Sequence, residues 1–167
     1  VMLEGDIVWC GTSKNRIYQF NTKTKKFTHY HTSPRTASIY SICRASDGGP
    51  WVGTSDRNVG MLKITGNKKI QTSFEATNIS NNNLRQTSVR CIMELRKGVF
   101  LIGTRNNGLL KYDENNKLVE RYNEDQTGLN HLYSNYITGI LKDSSQRIWV
   151  GTFGGGLFLY DEEKRII

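Results

Sequence analysis

Trp149-Val150-Gly151-Thr152 is the stretch of sequence that decides the fold, because versions of it occur at three other places in the chain. The glycines of the four copies lie 42, 50 and 48 residues apart along the 167 residues. A period of about forty to fifty residues is typical of proteins in which each repeat is one four-stranded propeller blade. The other copies are Val8-Trp9-Cys10-Gly11-Thr12, Trp51-Val52-Gly53-Thr54 and Leu101-Ile102-Gly103-Thr104.

The residues around each Gly-Thr pair extend the repeat into a full pattern of strands and turns. In three copies the motif is preceded by an apolar stretch and a polar turn. In all four copies it is followed by an apolar residue, a second turn and a further apolar residue. Each repeat therefore predicts four strands joined by turns, as in an antiparallel meander. We predict an all-β fold: a β-propeller fragment of about three and a half four-stranded antiparallel blades. The predicted blades are residues 1–36, which lack a first strand, 37–86, 87–134 and 135–167.

The repeated chemistry of the motif has a structural explanation within each copy. A glycine inside a strand lets a neighbouring sheet approach closely or accommodates a bulge. The Trp two positions earlier lies on the same face of the strand and is expected to pack between blades, with a ligand platform as the alternative. Cys10, Cys43 and Cys91 fall within apolar strand patterns and are expected to be small core residues.

Composition and charge exclude several classes of protein. Hydrophobic residues make up 37% of the sequence, too many for a disordered tail. No apolar run approaches the roughly 18 residues that a membrane span needs. The net charge of +8 suits an anionic partner, but the basic cluster at residues 23–26 has no interleaved aromatic residues on which bases could stack. We expect neither nucleic acid binding nor direct membrane contact.

Motifs for catalysis, metals and cofactors are not found. The glycine-rich residues 151–156 lack the Lys of a phosphate loop and are followed by an apolar strand, so they predict a hairpin turn. His29 and His31 share one strand face without a third ligand, which favours a cross-strand or solvent-facing pair over a metal site. Asp113 and Asp161 recur in the same turn and are expected to bind backbone amides. We expect no catalytic residue, no metal and no cofactor.

Residues 134–161 resemble the two-component regulator propeller repeat, and the other three copies resemble it with lower fidelity. Propellers of that family form the extracytoplasmic sensor of bacterial hybrid two-component systems, which are membrane-spanning histidine kinases that in many cases detect oligosaccharides. The resemblance implies that this segment is a periplasmic, ligand-sensing and non-enzymatic part of an inner-membrane kinase. The repeated motif is structural, so it assigns no ligand residue.

One rim of the predicted blades is a candidate ligand site. In a four-stranded meander the loops after the second and fourth strands emerge on the same side, and here they are rich in Arg and Lys. Arg binds anions through two parallel hydrogen bonds and aromatic rings cover sugar faces, so the rim suits an oligosaccharide, especially an acidic or sulfated one. Ordinary solvated loop residues are the alternative. The candidate residues are Arg16, Arg57, Arg105, Tyr133 and Phe153.

Two other classes of function remain as alternatives. An interaction scaffold of the WD40 kind predicts repeated His and Trp-Asp signatures, which are missing from the repeats. A propeller enzyme acting on carbohydrate predicts a paired acid and base or a metal cluster, and neither pattern is found. Uncovered outer blades would expose apolar faces, so we also expect the remaining blades of a longer propeller, or self-association, as partners.

Overall fold

The computed structural model describes residues 1–31, 37–56, 59–65, 70–72, 87–115, 118–128 and 131–166. Internal contacts divide the chain into two compact units, Val1–Val89 and Arg90–Ile167. A search of the described ranges finds no helix that is long and apolar enough to cross a membrane.

The described residues form sixteen strands in four antiparallel sheets, and each sheet has four strands in chain order. Sheet 1 consists of β1 (Met2–Glu4), β2 (Ile7–Gly11), β3 (Arg16–Asn21) and β4 (Phe27–His31). Sheet 2 consists of β5 (Ile39–Arg44), β6 (Pro50–Thr54), β7 (Met61–Ile64) and β8 (Ile70–Thr72). Sheet 3 consists of β9 (Val89–Arg96), β10 (Val99–Thr104), β11 (Leu109–Asp113) and β12 (Leu118–Tyr122). Sheet 4 consists of β13 (Ile137–Lys142), β14 (Ile148–Thr152), β15 (Leu157–Asp161) and β16 (Arg165–Ile166). The predicted all-β meanders are confirmed.

The start of sheet 1 differs from the prediction. The sequence predicts no first strand in the first repeat, but Met2–Glu4 forms β1, and Met2 lies opposite Trp9. Gly5 occupies the left-handed region at φ 56° and makes the tight turn into β2. A three-residue strand is too short to show an alternating pattern, which is why sequence reasoning missed it.

The threonine of each motif closes the hairpin between the second and third strands. In sheet 3 the Thr104 amide and hydroxyl both donate to the Gly108 carbonyl, at 3.1 and 2.7 Å. In sheet 4 the Thr152 amide and hydroxyl donate in the same way to Gly156, at 3.0 and 2.9 Å. The glycine-rich residues 151–156 therefore form a hairpin, as predicted.

The glycine of the motif leaves room for a side chain from another strand. A Cβ added to Gly53 would lie 2.6 Å from Cγ1 of Val89, and one added to Gly103 would lie 2.7 Å from Cγ2 of Ile137. Gly11 would meet the side chain of Ile39. Contacts this short do not occur between real carbon atoms, so glycine is required at these three positions.

Each unit has its own apolar core. In the first unit Trp9, Ile17 and Tyr30 of sheet 1 pack with Val52 and Leu62 of sheet 2. In the second unit a corresponding cluster joins sheets 3 and 4; its fully buried members include Leu101, Leu109, Tyr122, Ile137 and Val150. Trp9 and Trp51 are buried, in agreement with the predicted core role, whereas Trp149 is half-buried.

The turns between third and fourth strands use the predicted acidic residues. The Asp161 carboxylate accepts hydrogen bonds from the amides of Lys164 and Glu163, at 2.8 and 2.9 Å. These backbone bonds lower the pKa of Asp161. Asp113 accepts one such bond from Asn115 at 2.9 Å, so the two carboxylates stabilise turns.

The three cysteines are free and half-buried. Burial raises the pKa of the Cys91 thiol to about 12, which keeps it protonated and unreactive.

Candidate functional site

Within the second unit, the strand ends that precede and follow the loops of the candidate rim lie opposite each other in the register of each sheet. Ile137 at the start of β13 lies opposite Thr152 at the end of β14. Leu109 at the start of β11 lies opposite Tyr122 at the end of β12. The hairpin loops after β10 and β14 and the segment between β12 and β13 therefore each emerge at the same end of their sheets.

Two of these loops pack closely on each other. The Phe153 amide donates to the Tyr136 carbonyl at 2.8 Å. A Cβ on Gly155 would lie 2.8 Å from Cβ of Ser134, so only glycine lets the hairpin approach this segment. The hydrogen bond and the close packing fix the positions of the aromatic side chains on both loops.

Three side chains form a stacked column on this rim. The rings of Tyr136 and Phe153 stack with centroids 5.4 Å apart and planes inclined by 30°. The Arg90 guanidinium carbon lies 5.3 Å from the Tyr136 ring centroid, within the range of a cation–π interaction. Phe153 is 69% exposed and leaves most of its ring available to a ligand.

Tyr133 forms a second exposed aromatic surface on the same segment. Its ring stacks on Phe158 at 6.0 Å, and the His131 ring packs edge-on against it at 4.9 Å. Phe158 is buried, whereas Tyr133 is 73% exposed. The Tyr133 ring is thus held from below by the core while much of it faces solvent.

Hydrogen bonds join several described residues of the segment between β12 and β13. The His131 Nδ1 lies 2.8 Å from the Gln126 carbonyl, and the Leu132 amide donates to Asn123 at 3.2 Å. The Glu124 amide donates to the Asn135 side chain at 3.1 Å. Aromatic side chains on a fixed segment lose little conformational entropy when a ligand binds.

The five predicted site residues lie in different parts of the molecule. Tyr133 and Phe153 lie on the two loops that pack together, and Arg105 lies exposed on the hairpin loop of sheet 3. Arg105 makes no hydrogen bond, ion pair or ring contact with the described part of the chain. Arg16 lies in the first unit, where it starts β3 opposite His31. Arg57 lies outside the described residues.

Sequence reasoning missed Arg90, Tyr136 and His131. Arg90 follows Val89 at the start of β9, and Tyr136 precedes Ile137 at the start of β13. Their position in the meander could have identified them. The start of a first strand lies at the same end of the sheet as the hairpin loop after the second strand, and so at the rim.

His29 and His31 were expected to form a cross-strand or solvent-facing pair and not a metal site. His29 and His31 lie on one face with ring centroids 5.4 Å apart, and they lie opposite Tyr18 and Arg16. Across the described residues, His, Cys, Asp and Glu form no group of three that could hold a metal ion. His29 is paired across the strands with Tyr18, and His31 with Arg16.

The rim of the second unit, which we call the aromatic rim, consists of Arg90, Tyr133, Tyr136 and Phe153. Exposed ring faces bind the apolar face of a sugar, and a guanidinium binds carboxylate or sulfate groups. These groups suit binding and orientation of a ligand; none of them is a paired acid and base of the kind that glycoside hydrolysis requires.

Comparison with known proteins supports the resemblance noted above. A profile of the two component regulator propeller family matches residues 134–154. Among curated proteins, none matches the chain.

Solved structures of propellers match nearly all of this chain. The extracellular domain assigned to the hybrid two component system BT3049 of B. thetaiotaomicron is 24% identical at a TM-score of 0.74, over 100% of this chain and 21% of that one. The corresponding domain of BT4673 from the same organism is 20% identical at a TM-score of 0.61, over 94% of this chain and 26% of that one. Virginiamycin B lyase of Staphylococcus aureus is 16% identical at a TM-score of 0.74, over 99% of this chain and 53% of that one.

These likenesses define the class of fold. The chain has an all-β propeller-type fold, and its residues 134–154 match the repeat of the two component regulator propellers. It spans about a fifth to a quarter of the length of the two extracellular domains. At these identities the structural likeness establishes the fold alone, since one propeller fold serves both sensors and lyases.

Proposed function

We propose that this chain is a ligand-sensing segment in the extracytoplasmic part of a bacterial hybrid two-component histidine kinase. The match at residues 134–154 and the likeness to extracellular domains of two-component systems support this proposal. On this proposal the segment lies in the periplasm and belongs to an inner-membrane protein. A ligand that favours one arrangement of the propeller by a few kcal/mol would be enough to bias signalling.

We propose further that the ligand is an oligosaccharide and that it binds to the aromatic rim. The observation that carries this proposal is the pair of exposed rings, Tyr133 and Phe153, on loops that hydrogen bonds and close packing hold in place. Exposed rings held in fixed positions offer apolar area that a ligand can cover. A pyranose ring is flat and apolar on one face, and its hydroxyls satisfy polar groups around it.

Arg90 gives the proposed site a preference for anionic sugars. Its guanidinium lies over the Tyr136 ring, next to the column that Phe153 exposes. Stacking holds the planar guanidinium, which is always positively charged, at the rim. Uronic acids and sulfated sugars carry the negative charge that this guanidinium attracts.

The proposal is tested by isothermal titration calorimetry of the chain against neutral, uronic and sulfated oligosaccharides. Phe153→Ala is expected to weaken binding of the selected glycan about tenfold, the equivalent of ~1.4 kcal/mol for one lost stacking contact. Arg90→Gln is expected to weaken binding of acidic glycans and to leave neutral ones within about twofold.

Phe27→Ala is the matched control. Phe27 is also 69% exposed and stacks on a single ring, that of Phe20 at 4.5 Å, but it lies in sheet 1 at the start of β4. Its removal should leave affinity within about twofold. Equal losses for Phe153→Ala and Phe27→Ala, or no binding by any glycan, would reject the aromatic rim as the site.

We propose that the segment catalyses no reaction. Catalysis has to be measured separately from binding, because virginiamycin B lyase, an enzyme, has a similar fold. Glycans incubated with the chain should be recovered intact by mass spectrometry while still raising its melting temperature. Cleaved glycan in the same incubation would show an enzyme and overturn the sensor assignment.

A further inference from the structure

The aromatic rim has two ring platforms, and both rest on the hairpin formed by β14 and β15. Tyr133 stacks on Phe158 of β15, and Tyr136 stacks on Phe153 in the loop of that hairpin. Within the described part of the chain, no ring contact joins Tyr133 to Tyr136 or Phe153. Three residues of chain span at most about 10 Å, which is comparable with the length of a disaccharide. An oligosaccharide can therefore place different units on the two platforms.

The Tyr133 platform has a neutral hydrogen-bond acceptor at its edge. The His131 ring packs edge-on against Tyr133 at 4.9 Å, and its Nδ1 lies 2.8 Å from the Gln126 carbonyl oxygen. A carbonyl oxygen only accepts, so Nδ1 carries the proton and Nε2 of the uncharged ring is an acceptor. Nε2 makes no hydrogen bond to any residue that the structure describes. A sugar hydroxyl on the Tyr133 platform can donate to it.

Charges of opposite sign accompany the two platforms. The Arg90 guanidinium lies over the Tyr136 ring and is always positively charged. Glu124 and Asp125 are exposed and belong to the turn to which His131 is hydrogen-bonded. An anionic sugar unit is therefore attracted at Arg90 and repelled by the carboxylates of that turn.

We propose that the ligand is an oligosaccharide of mixed charge, with a neutral unit on Tyr133 and an anionic unit at Arg90. A hydroxyl of the neutral unit donates to Nε2 of His131, which makes His131 a specificity-determining residue. This inference rests on the oligosaccharide site proposed above and narrows its ligand class. A uniformly neutral chain gains no charge attraction from Arg90, and a uniformly acidic chain brings an anion towards Glu124 and Asp125.

The test is calorimetry of the chain with three glycans of equal length: xylotetraose, tetragalacturonic acid and aldotetraouronic acid. The last is a xylotriose that carries one 4-O-methylglucuronic acid unit, so it alone combines neutral and anionic units. At about pH 8 imidazole is uncharged. The mixed glycan is expected to bind about tenfold more tightly than either of the others. Equal affinities for the three glycans would overturn the proposal.

Two variants test the role of His131. His131→Phe keeps a ring against Tyr133 but removes the acceptor, so it should weaken binding of the mixed and neutral glycans about fivefold. Binding of tetragalacturonic acid should stay within about twofold. His131→Gln keeps an acceptor near the position of Nε2 and should restore most of the lost affinity. An equal loss for all three glycans would show that His131 only holds the segment together, and it would overturn the proposed role.

A charge variant tests the repulsion of acidic units. Asp125→Asn keeps an oxygen for the Asn123 amide, which donates to Asp125 at 3.0 Å, but removes the charge. It should reduce the preference for the mixed glycan over tetragalacturonic acid about threefold. Glu163→Gln is the matched control, because it removes one exposed charge from the turn between β15 and β16, at the other end of sheet 4. An unchanged preference in Asp125→Asn, or an equal change in Glu163→Gln, would contradict the repulsion.

The histidine geometry can be measured without any ligand. In a long-range ¹H–¹⁵N spectrum of the free chain at about pH 8, Nε2 of His131 should show the shift of an unprotonated nitrogen, with the signal assigned by its loss in His131→Gln. A protonated Nε2 would overturn the role of His131 alone. No binding by any of the three glycans would reject the oligosaccharide site itself, whereas equal binding by all three rejects only the ligand of mixed charge.

Discussion

Sheets 3 and 4 carry the same motif, yet the corresponding faces of the two sheets have opposite environments. Leu109, paired with Gly103, is 0% exposed, whereas Leu157, paired with Gly151, is 65% exposed. A Cβ on Gly103 would meet both Cys91 of sheet 3 and Ile137 of sheet 4, whereas a Cβ on Gly151 would meet only sheet 4 itself, with Thr138 Oγ1 at 3.2 Å. Both sheets form, although only one of the two faces is covered. The motif glycine and its paired residue are therefore needed for packing against a following strand and not for forming the sheet itself.

The largest expected difference between the two faces comes from truncating the paired leucines. Leu109→Ala removes a buried side chain and leaves a cavity, so it should lower the free energy of unfolding by about 2–5 kcal/mol. Leu157→Ala should cost less than about 1 kcal/mol, because most of its surface already contacts water. Urea denaturation measures both; similar costs would show that the two faces are equally covered in solution.

A smaller difference is expected at the hairpin threonines. Thr104 is fully buried, and its hydroxyl donates to Gly108 and accepts from the Asn107 amide at 2.9 Å. Thr104→Val keeps the shape but leaves these partners unpaired, at a cost of about 1–2 kcal/mol. Thr152→Val should cost less than about 1 kcal/mol, because water can replace the bond to Gly156. Thermal unfolding of both variants compares them, and a larger loss for Thr152→Val would contradict the comparison.

The smallest expected difference is in stability at acid pH. It comes from a polar contact in sheet 4 whose equivalent positions in sheet 3 are apolar. Asp143 accepts hydrogen bonds from the Trp149 indole at 2.9 Å and the Arg147 guanidinium at 2.7 Å. The indole bond first, and the guanidinium second, lower the pKa of Asp143 to about 2. In sheet 3 the positions of Asp143 and Trp149 are held by Leu95 and Leu101, which do not titrate.

Because the folded pKa of Asp143 lies below its unfolded value, its stabilising contribution is complete above about pH 4 and is lost as the pH falls through about 2. Asp143→Asn should therefore be less stable than the natural sequence at pH 6, and the difference should shrink as the pH falls from 4 to 2. Urea midpoints measured across that range test this. A difference that stays constant with pH would show that the hydrogen bonds do not depend on the charge.

Much of the fold could be predicted from the sequence because the local signals are strong and repeated. The Gly-Thr pair, the turn residues such as Asp113 and Asp161, and the apolar strands each specify the same meander. The short strand at Met2–Glu4 was missed because three residues show no period. Exposed apolar faces on outer blades were expected, but that Leu157 is 65% exposed could not be predicted locally, since covering depends on packing between distant residues.

The candidate site was predictable only in part, for a physical reason. Tyr133 and Phe153 could be placed among the candidates because they are aromatic residues in predicted loops, and the structure places both on the candidate rim. Arg90 and Tyr136 were missed because the column they form with Phe153 exists only when three strand ends meet. The net positive charge pointed to arginines generally, but it does not distinguish Arg90, which stacks, from Arg105, which does not.

The packing of successive sheets depends most on the room that the motif glycine makes for a side chain from the following first strand. A double-mutant cycle of Gly53→Ala and Val89→Ala in the first unit tests it, because Cγ1 of Val89 is the atom that a new Cβ would meet, at 2.6 Å. Val89→Ala removes that atom, so the double variant should lose less stability than the sum of the single variants, by about 1 kcal/mol or more. Additive losses would show that Val89 does not occupy the space beside Gly53. They would contradict the packing described at Gly11, Gly53 and Gly103.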